Sequence, residues 1–235
     1  MLNSLNNVAL LGKPIMMVPQ AFGGGENWAR GPSVAEERLM TYLGLMSGSK
    51  AIQYFVRSPE AGFPYAPAAW SEIRKVAAEV RVLTPALLGG EPISVKTTST
   101  MCTLHAGGWK DRDGSIVVIV ANLDNKDGLP CQFEVEMDGA VAPPGEGTLQ
   151  VTSIFENRFI NSNVSAPSFA FSDALRGQGV GIYRLERATA PVTSLICEWL
   201  ERNVHNLIAT VPPDLLPPLA TRQSLFRALL QPWNP

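Results

Sequence analysis

Apolar residues fall first in short blocks separated by helical stripes and then, from Pro92 onward, at every second position, so two kinds of architecture follow one another along the chain. Ile15-Met16-Met17-Val18-Pro19 is a continuous apolar run behind Gly12-Lys13-Pro14, which predicts a strand buried on both faces. The stretch from Gln20 to Gly31 mixes Gly23-Gly24-Gly25 with Glu26, Trp28 and Arg30, the composition of a loop that brings backbone and side chains close to a ligand. Ser33 and Glu36 stand at capping-box spacing. Behind them Ala35, Leu39, Tyr42, Leu43 and Met46 share one helical face, and Gly48 lies where a C-terminal cap belongs. Ala51 to Val56 predicts a second strand, and a Pro/Gly-rich loop follows to Pro67. Trp70, Ile73, Val76, Ala77, Val80 and Leu83 predict a second helix, closed by Gly89-Gly90. This strand–helix–strand–helix order is the rhythm of a parallel sheet, whose strands need further strands beside them and cover on both faces.

The second half reads differently. Ile116 to Ala121 is a buried strand, Asn122 to Gly128 a polar turn, and Cys131-Gln132-Phe133-Glu134-Val135-Glu136-Met137 alternates apolar and polar up to the Asp138-Gly139 turn. Leu149 to Phe155, Phe169 to Phe171 and Val180 to Leu185 add short strands at sandwich-like intervals. The tail from Ala188 predicts an amphipathic helix through Leu195, Cys197 to Leu200 and Leu207. A last helix from Arg222 to Leu230 follows the Pro212-Pro213 and Pro217-Pro218 breaks. The predicted organisation is therefore residues 1–91, an α/β segment, then 92–187, an antiparallel β-sandwich, then 188–235, a helical, Pro-rich tail.

Composition narrows the function classes. The 235 residues carry 19 basic and 21 acidic side chains, a net of -2, with no basic stripe to serve as the footprint of a nucleic-acid binder. No apolar run approaches the ~18 residues that span a bilayer. The run from Val8 to Leu11 is stopped by Gly12, Lys13 and Pro14, so no membrane span and no signal peptide are expected in this chain. Cys102, Cys131 and Cys197 are widely spaced and odd in number, which indicates neither a zinc site nor a full disulfide framework. Asn163-Val164-Ser165 would be a glycosylation acceptor in a secreted parent, and the redox compartment and location stay open. His105 and His205 have no partner at metal-ligand spacing, and Gly23-Gly24-Gly25 lacks the Lys-Ser/Thr ending of a phosphate loop; no metal or cofactor is expected.

Three stretches resemble the last two strand–helix units of a (β/α)₈ barrel of the glycoside hydrolase superfamily. They are Gly12 through Gly23, Pro32-Ser33 through Leu43, and Gly48-Ser49-Lys50-Ala51-Ile52-Gln53-Tyr54-Phe55. The helix with Trp70 and Glu79-Val80-Arg81-Val82-Leu83 resembles the final barrel helix. Val118-Ile119-Val120-Ala121-Asn122, Phe155-Glu156-Asn157-Arg158 and Gly181-Ile182-Tyr183-Arg184-Leu185 are similar to the β-sandwich accessory domain that trails such barrels. The resemblance implies α/β plus all-β architecture: an incomplete C-terminal part of a (β/α)₈ barrel, with six strands missing, followed by an antiparallel β-sandwich. A closed barrel alone takes roughly 250 residues.

Barrel glycosidases place two carboxylates about the scissile bond. By the resemblance the nucleophile would come from the seventh strand, where this chain has the neutral amide of Gln20. The expectation is a glycoside hydrolase-like chain that lacks the catalytic carboxylate pair and is inactive alone, with its catalytic residues unassigned. Gln20, Glu26, Trp28, Arg30 and Tyr54 are the candidate sugar-contacting residues, against the plainer account of a solvated loop and a packed Tyr54. Glu36-Glu37-Arg38 is read as a capped, dipole-matched first helical turn rather than an acid pair. The implied partners are a carbohydrate and the missing barrel half or another chain. The alternative is a non-catalytic carbohydrate-binding or interaction module centred on the β-sandwich.

Overall fold

A computed structural model describes residues 14–23, 30–55, 67–124, 130–143, 148–160, 162–165 and 168–188. The chain divides into two compact units, residues 1–187 and 188–235, and all described residues but Ala188 belong to the first. The helices expected in the tail lie outside the described residues, as does Cys197.

β1 (Ile15–Met17) and β2 (Ser49–Ile52) pair in parallel, with Met16 opposite Ala51 and Met17 opposite Ile52, and the pairing runs on to a bridge between Gln20 and Phe55. Between them lies α1 (Val34–Met46). Its start is the expected capping box: the Glu36 amide donates to Ser33 Oγ at 3.2 Å and the Ser33 amide donates to the Glu36 carboxylate at 2.8 Å. Its end turns through Gly48 at φ 90°, a left-handed backbone that glycine adopts without a Cβ penalty. α2 (Pro67–Gly89) begins on a proline, whose missing N–H costs nothing in a first turn.

The buried stripe of α1 is not the one its apolar residues predict. Glu37, Thr41, Gly44 and Leu45 are buried with Tyr42, whereas Ala35, Leu39, Leu43 and Met46 stay half-buried. Gly44 explains the rotation: Met17 of β1 packs where a Gly44 side chain would stand, so α1 sits close on the sheet only along this small-residue side. Tyr42, Leu45 and Met46 turn instead toward α2 and the sheet beyond it.

Ten further strands form two sheets: β3 (Glu91–Ile93), β4 (Lys96–Thr98), β5 (Leu104–Lys110), β6 (Ile116–Asn122), β7 (Cys131–Asp138), β8 (Thr148–Ser153), β9 (Arg158–Ile160), β10 (Ser162–Ser165), β11 (Ser168–Leu175) and β12 (Val180–Ala188). One sheet has the order β3-β5-β6-β12-β8-β9, the other β10-β11-β7-β4. Adjacent strands whose registers are described run antiparallel in both. Ile116, Val118 and Val120 of β6, Phe133, Val135 and Met137 of β7, Phe169 and Phe171 of β11 and Tyr183 and Leu185 of β12 meet in one core, so the two sheets pack face to face. β7 alternates buried and exposed along its whole length, as its sequence predicts, because its outer face is solvated.

β6 is buried at every position, and its second face shows why. Val117, Ile119 and Ile182 pack with Trp109 against Tyr42, Val76, Leu83 and Leu87 of the two helices. The helix pair and the sheets therefore share a core, and the described residues form a mixed α/β structure. β3, β4, β5, β9 and β10 carry no pattern of their own. Leu104-His105-Ala106-Gly107-Gly108-Trp109-Lys110 is drawn into a strand by its pairing with β6. A disulfide joins Cys102 to Cys131, across a separation of 29 residues, where the sequence indicated no framework.

Among the described residues the two-stranded parallel sheet is covered on one side only. Ile15, Met17 and Ala21 are buried on the helix side, while Met16 is 54%, Val18 50% and Phe55 45% exposed on the other.

Candidate functional site

The candidate site lies beyond the C-terminal ends of β1 and β2, where loops of strand–helix units place their chemistry. The backbone carries β1 into it through three bonds: Gln53 N–H to the Met17 carbonyl at 2.9 Å, Phe55 N–H to Pro19 at 2.9 Å and Ala21 N–H to Phe55 at 2.5 Å. Phe22 and Phe55 then meet edge to face, with ring centroids 5.7 Å apart.

Gln20 closes the base of the loop. Its Nε2 donates to the carbonyls of Phe22 at 2.7 Å and Arg30 at 3.1 Å, tying together two backbone positions eight residues apart. Arg30 in turn grips Glu36 with both terminal nitrogens at 2.6 Å. The Arg30 guanidinium and the Ser33 amide hold the Glu36 carboxyl down at about 2, so it stays ionised. Gln20 and Arg30 are thus brought together, and both are engaged in fastening the loop. Glu26 and Trp28 lie outside the described residues, as does Glu60.

Tyr54 points to the opposite side. Its hydroxyl shares a 2.8 Å hydrogen bond with Thr41 Oγ1 of α1, and its ring lies 6.4 Å from that of Trp70 on α2. It belongs with the helices, as the packed account of this residue expects. Trp70 itself is half-buried rather than fully enclosed.

The Glu36-Glu37-Arg38 triplet divides into three roles that its sequence does not distinguish. Glu36 caps α1. Glu37 is fully buried, with neither carboxylate oxygen hydrogen-bonded, and burial pushes its pKa up to about 7. Arg38 reaches α2, donating to Glu72 at 3.0 Å and to both oxygens of Glu79 at 3.0 and 2.6 Å, while the Tyr42 hydroxyl donates to Glu79 at 2.6 Å. The signal available for Glu37 was its i, i+4 spacing with Thr41 and its i, i+7 spacing with Gly44, a small-residue stripe suited to close packing on a sheet.

Chemically, glycoside hydrolysis asks for two carboxylates flanking one bond, one holding a proton and one ionised. Glu36 is ionised but spent on Arg30 and the helix cap; Glu37, its carboxyl pushed up to about 7 by burial, is enclosed on the inner side of α1. Of the histidines, His105 sits half-buried on β5 with its pKa lowered by burial, opposite Ala121, and His205 lies outside the described residues. Among the described residues no helix is long and apolar enough to cross a membrane.

No family model matches the chain, and no curated protein matches it in sequence. Among solved structures it is similar to the alpha-fucosidase of Thermotoga maritima, at 11% identity over 74% of this chain and 40% of that one, with a TM-score of 0.43. It is similar as well to Abp, a GH27 β-L-arabinopyranosidase from Geobacillus stearothermophilus, at 11% identity, 75% and 37% coverage and a TM-score of 0.43. A third is a glycoside hydrolase family 30 subfamily 8 xylanase from Clostridium acetobutylicum, at 11% identity, 77% and 44% coverage and a TM-score of 0.40. The chain spans about two fifths of the length of these structures.

Proposed function

We propose that this chain is the C-terminal part of a glycoside hydrolase-like protein: residues 1–91 the last two units of a (β/α)₈ barrel, residues 92–187 a β-sandwich accessory domain and residues 188–235 an appended tail. It acts on no O-glycosidic bond by itself, and carbohydrate is the substrate class of the complete parent. The observation that carries the reading is the uncovered face of the β1–β2 sheet. Met16, Val18 and Phe55 are about half exposed there, opposite a helix-covered face that is buried. Parallel strands occur almost only with both faces covered and with further strands beside them. Six additional strands closing on this face supply both. The engagement of Gln20, Glu36 and Glu37 within the fold supports the lack of activity.

The test is turnover. The purified 235-residue chain, offered a panel of nitrophenyl α- and β-glycosides, is expected to release no more nitrophenol than buffer. Hydrolysis of any of them, abolished by substitution of a carboxylate in this chain, overturns the reading. Transcripts that encode strand–helix units ahead of residue 14 in the same frame are the expected source of the remaining barrel.

A second reading, a non-catalytic carbohydrate-binding or interaction module centred on the β-sandwich, is favoured by one feature. The four-stranded sheet carries an open polar groove of about 560 Å³ on its solvated face.

A further inference from the structure

The groove runs across β4, β7 and β11. The strand registers explain its shape. Thr98 stands opposite Glu134 and Glu134 opposite Ser172, a row of three polar side chains from three adjacent strands. One step along, Gln132 stands opposite Ala174, whose single methyl leaves the floor open beside the row. Successive outward residues on a strand and neighbouring strands about 4.8 Å apart make this a shallow trough between a polar row and the loop that follows β4.

That loop is held in place as a wall. Ser99 Oγ donates to the Gln132 carbonyl at 2.8 Å and accepts from the Met101 amide at 3.2 Å, and three residues after Ser99 the Cys102–Cys131 disulfide fastens the loop to the first residue of β7. A binding surface fixed before its ligand arrives loses less ordering entropy on binding.

The chemistry of the lining selects a ligand class. The side chains of Thr98, Thr100, Gln132, Glu134 and Ser172 belong to exposed residues and make no hydrogen bond to another described residue. Hydroxyls and an amide both donate and accept, and Glu134 accepts. Among the described residues no cation lines the groove, so they offer nothing to phosphate or other anions, and no exposed aromatic ring lines it, so they offer nothing to a flat apolar ligand. Asp173, at the groove's edge, turns inward to Arg158 at 2.8 and 3.0 Å and to the Tyr183 hydroxyl at 2.8 Å. Groups that donate and accept at once match vicinal hydroxyls, and the volume falls within the ~300–1,000 Å³ of small-ligand sites.

We infer that this groove is a binding site for a polyhydroxylated ligand, a short oligosaccharide, with Glu134, Gln132 and Ser172 as its hydrogen-bonding groups and Ala174 as its floor. The site rests on the second functional reading above and is independent of the barrel. It is tested by amide chemical-shift perturbation in the full 235-residue chain, titrated with maltohexaose, xylohexaose, cellohexaose and mannohexaose. At least one is expected to give saturable shifts centred on Thr98–Thr100, Gln132–Glu134 and Ser172–Ala174. Ala174→Trp, which fills the floor from the solvent side, and Glu134→Ala should each weaken that binding about tenfold or more. Retention of the unperturbed spectrum elsewhere shows that both variants fold. Saturable shifts located elsewhere in residues 92–187, or shifts indifferent to Ala174→Trp, overturn the site while leaving the module reading standing. No saturable shift with any of the four sugars overturns both.

Discussion

Arg38 of α1 donates to both carboxylate oxygens of Glu79 on α2, at 3.0 and 2.6 Å, and this fork is the polar centre of the helix pair. The same guanidinium reaches Glu72, which Lys75 also approaches at 3.6 Å, and Tyr42 donates to Glu79, so Arg38 is held between two anions in a largely buried place. Removing one partner from such a cluster leaves an unpaired charge behind.

Arg38→Ala is therefore expected to destabilise the chain by about 3 kcal/mol, read as a lower urea midpoint at unchanged slope. The double change Arg38→Met with Glu79→Gln removes both charges together. It should recover more than half of that loss; a double variant as unstable as Arg38→Ala would place the loss in packing instead.

Glu37 sets a pH dependence. Burial lifts its carboxyl from 4.5 to about 7, so the folded chain binds this proton more tightly than the unfolded chain does. The contribution to stability is complete below the unfolded value, declines as pH rises from there through about 7 and is level beyond it, a loss of about 3 kcal/mol. Glu37→Gln removes this titration. Urea midpoints of the parent chain should fall between about pH 5 and pH 8, and those of the variant should change much less over the same interval.

The disulfide has a measurable share of the stability. Closing a loop of 29 residues restricts the unfolded chain by about 3–4 kcal/mol on the loop-entropy model. Cys102→Ser with Cys131→Ser should lower the unfolding midpoint accordingly. A reducing agent should do the same to the parent chain and nothing further to the variant.

The uncovered sheet face predicts self-association. Met16 and Val18 present apolar side chains to solvent on a strand that, among the described residues, pairs on one side only, a setting that favours edge-to-edge pairing. Met16→Lys with Val18→Lys should leave the unfolding free energy within about 0.5 kcal/mol, since neither side chain is buried in the chain by itself. Light scattering should show less concentration-dependent association than in the parent chain.

Much of the fold is written in local patterns. The Ser33–Glu36 capping box, the Gly48 terminus, the strict alternation of β7 and the apolar run from Ile116 to Ala121 in β6 each follow from spacing along one segment. The short strands β3, β4, β9 and β10 do not, because three or four residues hold too few side chains to show a period. β5 was hidden by its paired glycines, which fit a strand only beside β6, with Gly107 under Trp109 and Met46 and Gly108 under Ile93 and Val95. In the candidate site, Gln20 and Arg30 were legible as neighbours of one loop, whereas the direction of Tyr54 was not: it depends on which side of β2 the helices occupy.

By itself the sequence determined the capping box and glycine terminus of α1, the apolar run of β6 and the one-sided alternation of β7, because these are properties of neighbouring residues. Only the tertiary structure decided which face of α1 is buried, that Glu37 is enclosed without a partner while Glu36 is ionised, and that Cys102 meets Cys131. It alone decided that Thr98, Glu134 and Ser172 form one row. Those relations join residues far apart in the chain, and they are set by how closely helices and sheets can approach, which no periodicity along a single segment records.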